Sequence, residues 1–315
     1  MLDPRIGGLC FGAGRLGSTD PQIAQATVDI AWNRGVRYFD VAPAYALGEC
    51  ERRLGAALRS RPRQEYVLST KVGRTLIDDD AEGYVFDYSA DGVLRQIDDS
   101  LTRLQMSHID MLTLHDLSAR WHGDQLIERF NQAMAGAWPA MLRLREEGVV
   151  AALCLGVNDV AICKRFAAET SIDAIMLAGR VTLLDRSGID SGFLKLAENR
   201  RLPVLAAAPF NSGILALGPE VERATYFGQP APDRILALAR RVAALCAQWN
   251  IPLIAAAAQF ALRFSPIVAV VAGFQRPEQF EEAHEAMSLA IPTGFWDDLD
   301  VLHGSVSPPA QETWW

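Results

Sequence analysis

Short apolar runs alternate along the chain with longer stretches whose apolar residues recur every three or four positions. The runs are Gly8–Phe11, Arg37–Phe39, Tyr66–Thr70, Asp110–Leu114, Ala151–Leu155, Asp173–Leu177, Pro203–Ala207 and Ile267–Val271. Most are rich in Val, Ile and Leu without alternation, the pattern of strands buried on both faces in a parallel sheet. The stretches between them read as helices. Asp20-Pro21 supplies an N-cap and a first-turn proline, Ile23, Ala26, Thr27, Ile30 and Ala31 follow at helical spacing, and Asn33-Arg34-Gly35 ends the pattern. Another helix is predicted from near Glu49, with Leu54, Ala57 and Leu58 on one face. The same period predicts helices over 91–104, 126–147, 159–168, 190–199, 233–249, 253–264 and 277–288.

Eight strand–helix units in series, with no break in composition between them, predict a (β/α)8 TIM barrel. The 315 residues fit one barrel domain over the whole of 1–315, since such barrels run to about 250 residues or more. A doubly wound sheet is the alternative, and Gly12-Ala13-Gly14-Arg15-Leu16-Gly17 does match the G-x-G-x-x-G turn that such a sheet carries after its first strand. The strand count and the charged strand ends favour the barrel.

Composition narrows the partners. Half the residues are hydrophobic and 22% are charged, as in an ordinary globular protein. A net charge of -8 argues against nucleic acid or an anionic membrane as the main partner. Cys10, Cys50, Cys154, Cys163 and Cys246 form no C-x-x-C pair and are odd in number, so reduced core thiols in a cytoplasmic protein are expected, with no metal site. No signal peptide is read at the N-terminus, and no apolar run reaches the ~18 residues of a membrane span. A monomer or homodimer is expected.

Three consecutive strands end in an ionisable group: Asp40, Lys71 and His115. Tyr45 follows Asp40 in a short loop broken by Pro43 and Gly48. Each alone has an ordinary structural role open to it, as a turn cap, a solvated loop residue or a packed ring. Together, at the strand ends where barrels place their active sites, they form a chemical set. A tyrosine titrates near 10, too high to exchange protons readily at neutral pH. A neighbouring ammonium favours the phenolate, a carboxylate keeps that ammonium charged and placed, and a histidine can orient a substrate oxygen.

The segments RYFDVAPAYALGECERRLG, VLSTKVGR and MLTLHD resemble the aldo-keto reductase superfamily, and the resemblance runs from Leu9 to about Ile291. It implies a (β/α)8 barrel, hydride transfer between a nicotinamide cofactor and a carbonyl or alcohol carbon, and a catalytic tetrad of Asp40, Tyr45, Lys71 and His115. It also implies cofactor contacts. Asn158 or Asp159 would meet the nicotinamide amide, and Arg180 would lie over the cofactor or line the pocket, since Val181 stands where the family's stacking tyrosine is common. The loop carrying Pro209, Asn211, Ser212 and Gly213 would cover the pyrophosphate. Gly273, Phe274, Gln275, Arg276 and Gln279 lead into a helix whose N-terminus suits phosphate. One basic residue, Arg276, followed by Glu278, Glu281 and Glu282 is a thin provision for a 2′-phosphate. NAD is therefore expected to be preferred, with NADP possible.

The segments around Arg180 and Asn211, with Tyr226 to Pro232, are similar to the branch of D-threo-aldose 1-dehydrogenases, L-fucose and L-galactose dehydrogenases and pyridoxal 4-dehydrogenase. That resemblance implies oxidation of a cyclic hemiacetal to a lactone, with Tyr45 taking the anomeric proton. A sugar needs polar partners, and Arg15, Arg74 and Asp116 follow strand ends. Trp121 is a candidate wall for a sugar face, with Trp138 and Trp314-Trp315 as further aromatic candidates. The alternatives are a pyridoxal 4-dehydrogenase or a general aldehyde or ketone reductase of the same family, a Schiff-base lyase using Lys71 as nucleophile, and a barrel that binds cofactor without turnover.

Overall fold

The computed structural model describes residues 2–77 and 83–305; the Trp314-Trp315 pair lies outside them. Eight parallel strands close a barrel: β1 (Gly8–Gly12), β2 (Tyr38–Asp40), β3 (Val67–Val72), β4 (Met111–His115), β5 (Ala152–Val157), β6 (Ala174–Ala178), β7 (Val204–Ala207) and β8 (Ile267–Gly273). Each pairs with its neighbours in chain order, and β8 closes on β1 with Gly8 opposite Ala269 and Gly12 opposite Gly273. The order is that of a (β/α)8 barrel and excludes the doubly wound sheet.

Strand alternation explains where the ionisable groups point. Side chains two apart on a strand share a face. Tyr38, Val67, Met111 and Cys154 pack with Cys10, Met176, Leu205 and Ala269 in a small cluster. Their strand neighbours Phe39, Leu68, Leu112 and Leu155 belong instead to the large cluster formed with the helices. The first set therefore fills the barrel interior. Counting in twos from it gives Asp40 from Tyr38, Ser69 and Lys71 from Val67, and Thr113 and His115 from Met111. The interior face of three adjacent strands thus turns from apolar to ionisable toward its C-terminal end.

The helices form where their caps and periodicity place them. Asp20 accepts from the Gln22 N–H at 2.8 Å and starts Pro21–Asn33. Ser89 accepts from the Gly92 N–H and starts Ala90–Leu104. The helix predicted over 126–147 forms with a π turn inside it: Leu126–Gln132 passes through Ala133–Ala137 into Trp138–Glu146. Pro139 has no N–H to give and its ring crowds the preceding turn, so that turn widens. Trp138, a sequence candidate for the site wall, is 6% exposed and packs edge-on against Phe166 in the core.

Two hairpins stand outside the barrel. Arg74–Leu76 pairs with Tyr84–Phe86 directly after β3, and Thr225–Tyr226 pairs with Gln229–Pro230 between β7 and β8. A further helix, Thr293–Gly304, buries Phe295 and Leu299. Among the described residues no single helix is long and apolar enough to cross a membrane.

Candidate active site

The four residues at the strand ends line one cavity of about 370 Å³ at the C-terminal mouth of the barrel. Lys71 Nζ donates to Asp40 Oδ2 at 2.6 Å and to the Val41 carbonyl at 2.8 Å. Asp40 Oδ1 accepts from Ser69 Oγ at 2.7 Å, and Ser69 Oγ in turn lies 2.9 Å from the Tyr38 hydroxyl. Both carboxylate oxygens are thus held, and Lys71 and Asp40 are almost wholly buried. Breaking such a pair costs more than forming it contributes, because a lone buried charge is left behind.

Lys71 Nζ sits 5.0 Å from the centre of the Tyr45 ring, and the His115 ring meets Tyr45 edge-on at 5.8 Å. Burial pushes the Tyr45 phenol above its usual value, with Asp40 and Asp116 adding to the rise and Lys71 opposing it. Burial also pulls Lys71 down, but Asp40 and Tyr45 more than reverse that and leave its pKa raised. Burial pulls His115 down to about 4, with Asp116 opposing. The resting site at neutral pH is therefore a phenol, an ammonium and a neutral imidazole around one space.

One wall of the cavity is a set of stacked cations and rings. Arg74 donates to Asp116 Oδ2 at 2.8 Å, and its guanidinium lies 3.8 Å from the Tyr84 ring centre and 4.1 Å from that of Trp121. Asp116 Oδ2 is 3.6 Å from His115 Nε2. Trp121 faces Arg120 at 5.1 Å, and Arg120 faces Phe227 at 5.5 Å while donating to its carbonyl at 2.8 Å. Phe227 and Gly228 both have positive φ, as the tight two-residue turn of the Thr225–Pro230 hairpin requires. Gly179 makes room for the ring: a Cβ there would lie 2.7 Å from Phe227 Cζ.

A second cavity of about 360 Å³ adjoins the first. Pro209, Asn211, Ser212, Gly213, Gly273, Phe274, Gln275 and Gln279, all expected to meet a cofactor, line it. Asn158 lines the first. The Oδ1 atoms of Asn158 and Asn211 are buried and have no protein partner among the described residues. These two orphaned amide oxygens, one on each cavity, fit a ligand with polar groups at both ends, as a dinucleotide has.

Arg15, Arg74, Asp116 and Trp121 line the first cavity. Three expected cofactor residues stand elsewhere. The Asp159 carboxylate accepts from the N–H groups of Ala161 and Ile162, capping the helix after β5, and from that of Ala119. Arg180 is 8% exposed and bonds the Asn158 carbonyl and Asp185, behind Phe227 rather than on the cavity wall. Arg276 is exposed and lines neither cavity. Conversely, Arg120 and Phe227 line the first cavity, and Leu217, Ile254 and Glu282 the second, none of them expected. Phe227 lies in the Tyr226 to Pro232 segment that carries the branch resemblance, as a Phe-Gly pair in a stretch rich in glycine and proline, without being marked there as a site residue.

A family model, the aldo/keto reductase family, matches residues 8–303. The pyridoxal 4-dehydrogenase of Microbacterium luteolum is 36% identical, over 88% of this chain and 86% of that protein. The D-threo-aldose 1-dehydrogenase of a Pseudomonas species is 35% identical, over 93% of each. Among solved structures, an aldo-keto reductase of Bacillus halodurans in its holo form superposes with a TM-score of 0.74 at 25% identity, covering 94% of this chain and 92% of that one. Barrel and sequence agree over residues 8–303, and the chain belongs to the aldo/keto reductase family of nicotinamide-dependent oxidoreductases.

Proposed function

We propose that this chain, acting as one barrel domain, is an aldose 1-dehydrogenase. It oxidises the anomeric carbon of an aldose of the D-threo-aldose, L-fucose or L-galactose type to a lactone, with NAD preferred over NADP. The observation that carries the proposal is the Arg74–Asp116 pair beside His115 and Tyr45 on one cavity. A donor and an acceptor fixed a few ångströms from the proton-transfer group suit a substrate that bears several hydroxyls next to its reacting carbon.

A bound nicotinamide dinucleotide supplies the hydride acceptor. The chain's own residues supply the rest. Lys71, held by Asp40, stabilises the Tyr45 phenolate, and Tyr45 takes the proton of the anomeric hydroxyl as hydride leaves the same carbon. His115, neutral because it is buried, orients that hydroxyl without adding a charge. Arg74 and Asp116 hold the ring hydroxyls, with Trp121 against an apolar sugar face.

The preference for NAD is supported by charge. Glu282, a carboxylate, lines the second cavity, whereas Arg276 does not. A carboxylate accepts hydrogen bonds from ribose hydroxyls and repels a 2′-phosphate.

A pyridoxal 4-dehydrogenase is the second proposal, favoured by the rings of Trp121 and Phe227 on the same cavity, which suit a flat heteroaromatic. Pyridoxal also closes to a cyclic hemiacetal, so the chemistry is the same. Trapping the product with hydroxylamine separates these proposals from general reduction. A hydroxamate formed from sugar or pyridoxal with oxidised cofactor supports lactone formation. Its absence, with reduction of simple aldehydes instead, contradicts it.

A further inference from the structure

The two cavities share three lining residues, Arg15, Ala208 and Gly273. They mark the waist at which one cavity opens into the other. Two are small. Gly273 leaves space for the third: a Cβ there would come within 3.4 Å of Arg15 Cγ. The third is a guanidinium on an exposed residue, with no hydrogen-bond or ion-pair partner for its side chain among the described residues. Gln275 Nε2 donates to Ser18 Oγ at 3.2 Å and ties the loop after β1 to the loop after β8, which keeps Arg15 at the waist. Among the described residues that line the second cavity, Arg15 is also the only cationic side chain.

The order of groups in a nicotinamide dinucleotide fits this arrangement in one direction. The nicotinamide must reach the space beside Tyr45 and His115, where the orphaned Asn158 Oδ1 awaits an N–H donor. The adenosine then falls in the second cavity, among Ile254, Leu217 and Glu282. The diphosphate lies between these halves in the molecule, and so meets the waist. We propose that Arg15 is the counter-ion of the cofactor's diphosphate, and not a substrate-binding residue. The guanidinium presents paired N–H donors to phosphate oxygens, while Ala208 and Gly273 leave room for the two phosphates. The proposal rests on nicotinamide dependence but not on which sugar or aldehyde is oxidised.

The test is calorimetric titration of the wild-type protein, Arg15→Gln and Arg15→Lys with NAD, NADP, ADP-ribose and adenosine, without substrate, followed by steady-state kinetics at saturating cofactor. A lost charge-assisted hydrogen bond weakens binding roughly ten- to a hundredfold. Arg15→Gln is expected to weaken NAD and ADP-ribose by that factor, to flatten the dependence of NAD binding on salt, and to leave adenosine unchanged. Arg15→Lys is expected to recover part of the loss. At saturating cofactor, substrate KM should stay at the wild-type value. Unchanged NAD and ADP-ribose affinity in Arg15→Gln with a raised substrate KM overturns the assignment and returns Arg15 to the substrate. Equal weakening of adenosine and NAD overturns it too, as a loss of structure. Failure of the wild type to bind either NAD or NADP overturns nicotinamide dependence itself.

Discussion

Lys71 Nζ and Asp40 Oδ2 lie 2.6 Å apart at the mouth of the barrel, with side-chain exposures of 1% and 4%. Their strands are neighbours: Asp40 ends β2 and its Cα is in register with Ser69 of β3, two residues before Lys71. The sheet therefore sets their approach. Removing one partner strands the other charge in a buried site, at a cost of about 3–5 kcal/mol. Asp40→Ala is expected to lower unfolding stability by that order. Urea denaturation, comparing midpoints at unchanged slope, measures it; a change under about 1 kcal/mol, as at an exposed pair, would show that the pair is solvated.

Tyr45→Phe keeps the ring against His115 and removes the hydroxyl. Turnover is expected to fall by at least about a hundredfold, the lower range of a general acid–base contribution. NAD affinity, measured by titration, should stay within about twofold of wild type, the approximate scale set by small surface effects. Residual turnover near the wild-type rate would assign the proton transfer elsewhere. Tyr45-dependent turnover also excludes a barrel that only binds cofactor.

His115 carries a pH signature. Its pKa falls from 6.5 when unfolded to about 4 when folded, because burial penalises the imidazolium. The unfolded chain takes up the proton first as pH drops, so stability is full above 6.5 and is lost between 6.5 and about 4. The difference corresponds to about 3 kcal/mol for this group. His115→Gln removes that loss. The stability of the variant relative to wild type should therefore rise by about this amount between pH 7 and pH 4, as read from denaturation at each pH. A pH-independent difference would mean that His115 titrates normally.

On the proposed reading, charge at the second cavity sets the choice between NAD and NADP. Glu282→Lys replaces a carboxylate on its lining with an ammonium. Affinity for NADP relative to NAD is expected to rise by at least about tenfold, one phosphate-directed ionic contact. Arg276→Ala is expected to change both affinities little, since Arg276 stands off the cavity. A selective loss of NADP in Arg276→Ala would place the 2′-phosphate at Arg276 after all.

Much of this was legible in the sequence, and the misses have physical causes. The barrel was readable because its strands are buried on both faces and so read as short apolar runs. The apolar runs stop one residue before Asp40, Lys71 and His115, and the strands take those residues in, β2 and β4 ending on Asp40 and His115 and β3 running one residue past Lys71 to Val72. Polar residues look like loop, yet here they continue the strand with their side chains turned into the mouth. Asp40, Tyr45, Lys71 and His115 were readable because each is tied to a strand end. Arg120 and Phe227 were not, because they reach the cavity from a short helix and from a hairpin distant in sequence. Arg180 looked like a pocket residue by position, but Asp185, only a few residues on, folds back to take its charge at 2.8 Å. Asp159, expected at the nicotinamide, caps the helix after β5 and lines neither cavity, because a carboxylate just before a helix meets free N–H groups there.

The most direct test follows the NADH absorbance band while NAD is offered with L-fucose, D-arabinose, L-galactose or pyridoxal, with Tyr45→Phe run in parallel. An aldose 1-dehydrogenase gives growth of the band with a sugar and NAD, at a rate that climbs with pH as Tyr45 gives up its proton, and no comparable growth in Tyr45→Phe. No growth with any sugar or pyridoxal, together with consumption of NADPH on simple aldehydes, would contradict both the proposed oxidation and the preference for NAD.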